Sequence, residues 1–397
     1  MMRNIFIPVL FFMLVWSVRS QTAQEEQETR NAAQQLMQNI DQKLTIGGYG
    51  QVDYNQPIDA GSRNNGRMDV HRLVLLFGYK FSDRVQFITE IEVEHVEEIY
   101  VEQAFVNYRI RDWLNFRAGL MLVPMGRVNE YHEPPSFNGV ERPNLDYYIV
   151  PTTWREIGLG ITGRIQSAGL KYQAYLFNGF ISYDGAGTLK GETGLRGGRQ
   201  KGAKAVFGSP SLAAKLEFYG IPGLNIGASA YLGKTQTTLR NGISKEDDSG
   251  LARADSSIIG VSMMGLDAQY RTRGIQIHAQ YNFGSLTNTD QYNAFTNGDL
   301  GRAIMGTYLE FGYDIFHSFS NLKSQLTPFI RYENYSTHYK VSENLPKNEA
   351  YHREEWIFGL GWKPVSGVAF KADIQMVRPK SEDSFLKVFN AGIGVWF

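Results

Sequence analysis

Cysteine is absent from this 397-residue chain, and beyond residues 1–20 no stretch is long and apolar enough to form a transmembrane helix. The lack of cysteine argues against a disulfide-stabilised scaffold and against a lipid anchor attached through a thiol. A spanning helix needs about 20 apolar residues, so the sequence predicts no helical membrane protein. Forty basic residues balance forty acidic ones, and this zero net charge predicts no nucleic-acid partner.

The start of the chain has the features of a targeting segment. Arg3 is followed by an apolar run from Ile5 to Trp16, and small residues near Ser20 offer a cleavage site. We therefore expect residues 1–20 to be a signal peptide. Residues 21–43 are polar and rich in alanine and glutamine, which predicts a periplasmic leader that is either a short helix or a flexible spacer.

Glycine and aromatic residues are abundant: 41 Gly, 22 Tyr and 24 Phe favour sheets and tight turns. From residue 44 to residue 397 apolar and polar residues alternate with period two, as in half-buried strands. Sixteen strands can be placed, at 44–54, 68–80, 84–97, 100–110, 113–122, 154–164, 169–178, 211–219, 223–234, 257–270, 274–286, 303–315, 325–337, 355–363, 367–377 and 386–397.

The connections between these strands alternate in length. Tight turns follow the even-numbered strands, and longer polar loops follow most odd-numbered ones. Membrane β-barrels have this asymmetry, with short periplasmic turns and long extracellular loops, whereas a soluble β-sandwich has no reason for it. We therefore predict an all-β fold, a transmembrane antiparallel β-barrel of about 16 strands.

The strand faces agree with a barrel in lipid. Leu73, Leu75 and Phe77 alternate with polar or small residues, and the last strand alternates up to Phe397. In a membrane barrel the apolar face points outward and the lumen is polar. A soluble sandwich would show the same alternation with its polar face toward solvent, so the pattern alone leaves both open.

A barrel of about sixteen strands leaves a lumen too wide for side chains to fill, which predicts an aqueous channel. The long loop, residues 123–153, is rich in proline and charge, and several of its Tyr and Phe side chains would be exposed if it covered the mouth. We therefore expect it to fold inward and narrow the lumen. Glycines on the lumen face mark either places where a loop approaches the wall or bends of the strands. They are Gly158, Gly160, Gly359, Gly361, Gly392 and Gly394.

Charged side chains on the predicted lumen face could create a transverse field that orients polar solutes, or could be cross-strand pairs that only stabilise the wall. The residues predicted to line the pore or its constriction are Arg72, Lys80, Glu90, Glu92, Glu94, Arg109, Arg117, Arg127, Arg142 and Arg155.

The chain resembles the phosphate-selective porin O and P family of Bacteroidetes-type outer membranes. The resemblance rests on the block from His71 to Arg117, on Leu120–Gly126, on Ser136-Phe137 and Glu141-Arg142-Pro143 in the long loop, and on Thr152–Gly158. It implies a sixteen-stranded barrel, a homotrimer, and a loop after the fifth strand that narrows the pore. It also implies phosphate selectivity through arginines and lysines at the constriction, from which this sequence departs, because the carboxylates of Glu90, Glu92 and Glu94 would repel phosphate.

The function predicted from the sequence is an outer-membrane porin for passive diffusion of small polar or ionic solutes, with anions such as phosphate among the candidates. The expected partners are outer-membrane lipid, these solutes and two further copies of the chain. No enzyme activity, cofactor or metal site is predicted, because the seven histidines are scattered and the acidic clusters lack calcium-loop spacing. The alternatives are an outer-membrane barrel hydrolase, in which His278 could act with Asp267 or Glu310, and a secreted carbohydrate-binding β-protein.

Overall fold

The structure is a computed structural model that describes residues 31–37, 42–58, 63–319 and 321–397. The predicted signal peptide lies outside the described residues, and of the predicted leader only residues 31–37, 42 and 43 are described. No helix in the described ranges is long and apolar enough to cross a membrane.

Eighteen strands are present in the described part of the chain. They are β1 (Leu44–Pro57), β2 (Arg67–Lys80), β3 (Val85–Glu94), β4 (Glu98–Arg111), β5 (Leu114–Leu122), β6 (Arg155–Ile165), β7 (Leu170–Phe177), β8 (Ile181–Tyr183), β9 (Ser211–Ile221), β10 (Leu224–Lys234), β11 (Gln236–Thr237), β12 (Gly260–Thr272), β13 (Ile275–Thr287), β14 (Ala303–Tyr313), β15 (Gln325–Lys340), β16 (His352–Val365), β17 (Val368–Pro379) and β18 (Leu386–Trp396).

Helices in the described ranges are short and are not part of the barrel wall. The α-helices are Ala32–Leu36, Leu145–Tyr148, Asp248–Ser256 and Thr289–Thr296, and the 3₁₀ helices are Pro134–Ser136, Gln166–Ala168, Arg196–Gly198, Thr238–Arg240, Ile315–Ser318 and Glu349–Tyr351.

All strands except β8 and β11 form one closed barrel of antiparallel neighbours. The ring closes because β1 pairs with β2 on one side and with β18 on the other, where Tyr49 lies opposite Trp396. The short strands β8 and β11 pair in parallel with each other and form a separate two-stranded sheet. The sixteen strands predicted from the alternating pattern are therefore confirmed, with ends that differ by a few residues.

The predicted asymmetry of the connections is also present. Short turns such as 112–113, 222–223 and 366–367 gather at one end, and the long connections gather at the other. There are two exceptions. The connection 314–324, at the end with the short turns, is longer and contains the 3₁₀ helix Ile315–Ser318, and the connection 95–97 between β3 and β4, at the other end, has only three residues. In outer-membrane barrels the end with the long connections is extracellular.

The outer face of the barrel is apolar, as a lipid-facing wall requires. On β2, Leu73 and Leu75 are 45% and 38% exposed, whereas Val74 and Leu76 between them are 0% exposed and point into the lumen. Similar exposed apolar side chains continue around the ring, for example Leu159, Leu266 and Phe358. Because the apolar face points outward, the soluble sandwich that the sequence left open is wrong.

Candidate functional site

The long connection between β5 and β6, residues 123–154, folds into the barrel, and we call it the inward loop. Along its course it binds opposite parts of the wall. The Arg127 amide donates to Gln280 on β13 at 3.0 Å, and the Val140 amide donates to Asp373 on β17 at 2.8 Å. The Leu145 amide then donates to Glu333 on β15 at 3.0 Å. The prediction that this loop folds inward is confirmed.

Lys371 on β17 holds the inward loop through three hydrogen bonds. Its ammonium Nζ donates to the carbonyl oxygens of Pro134, Phe137 and Gly139 at 2.6, 2.7 and 2.8 Å. The same Nζ lies 3.8 Å from the centre of the Phe137 ring. One buried cation thus fixes a tight turn of the loop against the wall.

Loop approach, one of the two interpretations that the sequence left open, applies to two of the lumen glycines. A Cβ on Gly394 would lie 2.6 Å from Pro134, and a Cβ on Gly392 would lie 3.0 Å from Val140, so both mark close approach of the inward loop. Gly158 and Gly359 instead lie beneath the rings of Phe177 and Phe329 on neighbouring strands.

A cavity of about 400 Å³ lies in the lumen, at the end that carries the long connections. It is bounded by the inward loop, by β2, β3 and β6, and by residues 196–201 from the connection between β8 and β9. The charged side chains in its lining are Arg72, Arg142, Arg155, Arg196, Arg199 and Lys201, and Glu92, Glu94, Glu141 and Asp146.

Four of these side chains, Arg155, Arg196, Arg199 and Lys201, form what we call the cationic group. Arg155 and Lys201 lie over the ring of Tyr100, at 5.5 and 5.3 Å from its centre. Burial, with the nearby charges of Arg196 and Arg155, lowers the pKa of Arg199 to about 9. Burial and Arg199 also lower the pKa of Lys201. Because a guanidinium stays protonated at neutral pH, this group carries poorly compensated positive charge that an anion would stabilise.

Arg142 on the inward loop faces the same cavity with unused donors. Its Nη1 lies 3.4 Å from the Thr153 hydroxyl, whereas its Nε and Nη2 have no hydrogen-bond partner. The Nε of Arg155 is also without a partner. Such guanidinium groups can bind a carboxylate or phosphate through paired hydrogen bonds.

The acidic side of the cavity is partly neutralised. Glu92 on β3 lies 3.6 Å from Arg72 on β2, and Arg72 also lies opposite Glu94 in the strand register. Burial raises the pKa of Asp146 on the inward loop to about 7. The negative charge in the cavity is therefore weaker than the number of carboxylates suggests.

Half of the residues predicted to line the pore surround this cavity: Arg72, Glu92, Glu94, Arg142 and Arg155. Their contact with a solute remains a prediction. Two others lie near the opposite end of the barrel. Lys80 pairs with Asp83 in a short turn at 2.7 Å, and Arg109 is close to the same turn.

The remaining three predicted residues lie inside the barrel away from the cavity. Arg117 donates to Asn107 at 2.9 Å, Arg127 lies 4.5 Å from the centre of the Tyr131 ring, and Glu90 is buried. Sequence reasoning missed Arg196, Arg199 and Lys201, because no local signal shows that residues 196–201 return to the mouth of the barrel.

The segment 31–37, upstream of β1, also lies in the lumen. Asn31 Nδ2 donates to the Glu130 carbonyl at 2.8 Å, and the Ala32 amide donates to Glu133 Oε1 at 2.6 Å. Leu36 is buried against Val74 and Leu76, which explains why these inward side chains are apolar. Of the segment 21–43, predicted to be a periplasmic helix or flexible spacer, the helix Ala32–Leu36 thus packs in the lumen beneath the inward loop.

His278 belongs to a network that holds the inward loop. Its Nδ1 lies 2.9 Å from Glu310, which also accepts from Asn138 of the loop at 2.9 Å and pairs with Arg331 at 3.3 Å. Asp267, the other partner considered for His278, instead lies 3.2 Å from Lys215. The ring therefore takes part in wall–loop hydrogen bonding.

A closed antiparallel barrel of sixteen strands, with an apolar outer face and a loop folded inside, is a porin-type barrel of the bacterial outer membrane.

Solved structures share this fold. The outer-membrane channel DcaP of Acinetobacter baumannii superposes with a TM-score of 0.58 at 11% identity, over 89% of this chain and 97% of that chain. For an anion-selective porin from Comamonas acidovorans the TM-score is 0.54 at 11% identity, over 89% and 100%. For the trimer form of OmpT of Vibrio cholerae it is 0.52 at 11% identity, over 90% and 100%.

An uncharacterized protein of Aquifex aeolicus (strain VF5) is 32% identical over 343 residues, which cover 83% of this chain and 74% of that protein. The chain belongs to the same family as that protein. No family model matches the chain, so its membership of the phosphate-selective porin O and P family stays a prediction.

Proposed function

We propose that this protein is a porin, a water-filled channel for passive diffusion of small polar or ionic solutes across the outer membrane. The observation that carries the proposal is the charged cavity of about 400 Å³ inside the barrel wall. Its lining of guanidinium, ammonium and carboxylate groups needs water or ions as partners, since buried charge without partners is strongly unfavourable. A wide barrel narrowed by an inward loop gives such a cavity a place on a solute path.

Among these solutes we favour anions, phosphate included. The support is the cationic group together with Arg142. Arg142 and Arg155, a member of that group, have guanidinium nitrogens without a hydrogen-bond partner, which suit an oxyanion. Glu92 opposes this less than the sequence suggested, because Arg72 lies beside it. The likeness in fold to a porin named as anion-selective agrees with this choice.

We further propose that three copies associate in the membrane. The resemblance to the phosphate-selective porins implies a homotrimer, and one structural neighbour is named in a trimer form. Cross-linking in detergent that yields trimers would support this, and a monomer that remains stable in mild detergent would contradict it.

The selectivity is tested by reversal potentials across a KCl gradient in planar bilayers. Replacing Arg142 and Lys201 with Gln removes two positive charges from the cavity, so the reversal potential should move toward that of a cation-selective pore. Lys387→Gln, at an exposed position on β18 outside the cavity, is the matched control and should leave it unchanged. Equal reversal potentials for wild type and the double variant would place the cavity outside the ion path.

A further inference from the structure

We propose that Glu90, Glu102 and His132 bind one divalent metal ion, with Zn²⁺ the best match, which ties the inward loop to the barrel wall. Glu90 lies on β3, Glu102 on β4, and His132 on the inward loop. One ligand atom from each lies within 4.8 Å of the others, and all three side chains are buried. The site is separate from the charged cavity, and the proposal does not depend on the transported solute.

The distances are those of a compact four-ligand site with the Tyr49 hydroxyl as the fourth ligand. His132 Nε2 lies 3.3 Å from Glu102 Oε1, and the Tyr49 hydroxyl lies 2.9 Å from both His132 Nε2 and Glu90 Oε1. Ligands about 2.1 Å from a tetrahedral Zn²⁺ lie about 3.4 Å apart, so only small shifts would admit the ion. Imidazole nitrogen and carboxylate oxygen are both ligands of Zn²⁺, and the excess of oxygen donors makes Mn²⁺ the main competitor.

The orientation of the His132 ring supports metal binding. Its Nδ1 lies 3.3 Å from the carbonyl oxygen of Asn129, to which an N–H donates. Metal-binding histidines are held in the same way, with the other nitrogen directed at the ion. His132 Nε2 then lies 3.3 Å from Glu102 Oε1, an oxygen without another hydrogen-bond partner on a side chain that is 0% exposed. A bare nitrogen and a carboxylate oxygen repel at this distance, so either a proton on Nε2 or a metal ion lies between them.

The local charge favours a divalent ion over a single proton. The buried carboxylates here are those of Glu90, Glu92, Glu102 and Glu133. The permanent cations that act on them are Arg72, 3.6 Å from Glu92, and the more distant Arg155. A divalent ion would balance the remaining negative charge, whereas one proton on His132 would balance half of it. Buried carboxylates without compensation are strongly unfavourable, so this difference is large.

A second group with similar spacing, Asp53, His71 and Glu141, is a weaker candidate. Arg72 Nη2 lies 2.7 Å from His71 Nε2, so this nitrogen must accept the hydrogen bond. The proton of a neutral ring is then on Nδ1, which lies 3.1 Å from Asp53 Oδ2. No lone pair of His71 is left for a metal, and His71 therefore provides a matched control.

The test uses untagged protein folded in metal-free detergent, with folding checked by the change in gel mobility on boiling. Titration calorimetry with ZnCl₂ should show one equivalent bound per chain, confirmed by elemental analysis after dialysis. Glu102→Gln and His132→Gln should each weaken binding by about 100-fold, whereas His71→Gln should not.

The proposal is overturned if folded wild-type protein binds neither Zn²⁺ nor Mn²⁺ saturably, in which case protons neutralise the cluster. It is also overturned if binding persists in His132→Gln or is lost in His71→Gln. If both ligand variants fail to fold, anomalous diffraction from zinc-soaked wild-type crystals decides. A peak between His132 and Glu102 supports the site, and an empty map at that position contradicts it.

Discussion

Lys371→Met should release the inward loop from the wall. Lys371 is 7% exposed, and its ammonium donates to three loop carbonyls at 2.6–2.8 Å. A hydrogen bond to a charged group contributes about 1.5–3 kcal/mol, and the avoided desolvation of the ammonium offsets part of the total. We estimate a net loss of roughly 3 kcal/mol, which raises the ratio of undocked to docked loop by about 100-fold.

The absence of cysteine makes this change measurable. A Ser136→Cys substitution places a single thiol on the loop next to the turn that Lys371 holds, at a half-buried position. The rate of its modification by a charged thiosulfonate reagent reports how often the loop undocks. We expect Lys371→Met to raise this rate by about 100-fold, and Lys387→Met, exposed on β18, to leave it unchanged. Equal rates in the two variants would refute the anchoring role of Lys371.

Three further predictions follow from the lumen. Gly394→Ala should lower the heat stability of the barrel, because its Cβ would lie 2.6 Å from Pro134. In Gly361→Ala the Cβ meets nothing closer than 3.9 Å, so this control should have no effect. Equal losses of stability in the two variants would contradict the prediction. Above its pKa of about 7 Asp146 is charged and below it is neutral, so anion preference should increase as the pH falls from about 8 to about 6. Asp146→Asn should abolish that change, and a pH response that persists would assign it to another group. Leu36→Asp should expel residues 31–37 from the lumen and raise the conductance, and an unchanged conductance would mean that this segment does not obstruct the path.

The wall of the barrel could be predicted because each strand carries its own signal. Leu73 and Leu75 show the lipid-facing period by themselves, whereas for Gly392 and Gly394 loop approach was one of two interpretations. Proline and aromatic residues in one long connection were enough to predict that it folds inward. These features depend on local periodicity and on composition, which a single sequence contains.

The interior could not be predicted to the same extent, because it depends on contacts between distant segments. An irregularity in the pairing of β3 with β4 brings both Glu102 and Gln103 to buried positions, which strict alternation does not allow. Val74 and Leu76 are apolar although they point into the lumen, because residues 31–37 cover them. The cationic group combines Arg155 on β6 with residues 196–201, more than thirty positions further along the chain. His132 and Glu102 are likewise distant in sequence and meet only in the folded chain.

The most direct test is the current through single wild-type molecules in a planar bilayer, after folding has been verified by the mobility change on boiling. A porin with a charged, hydrated cavity should give discrete steps with a linear current–voltage relation, and added phosphate should reduce the chloride current by competing for the cavity. A correctly folded barrel that inserts but passes no ions would contradict the existence of a continuous water path.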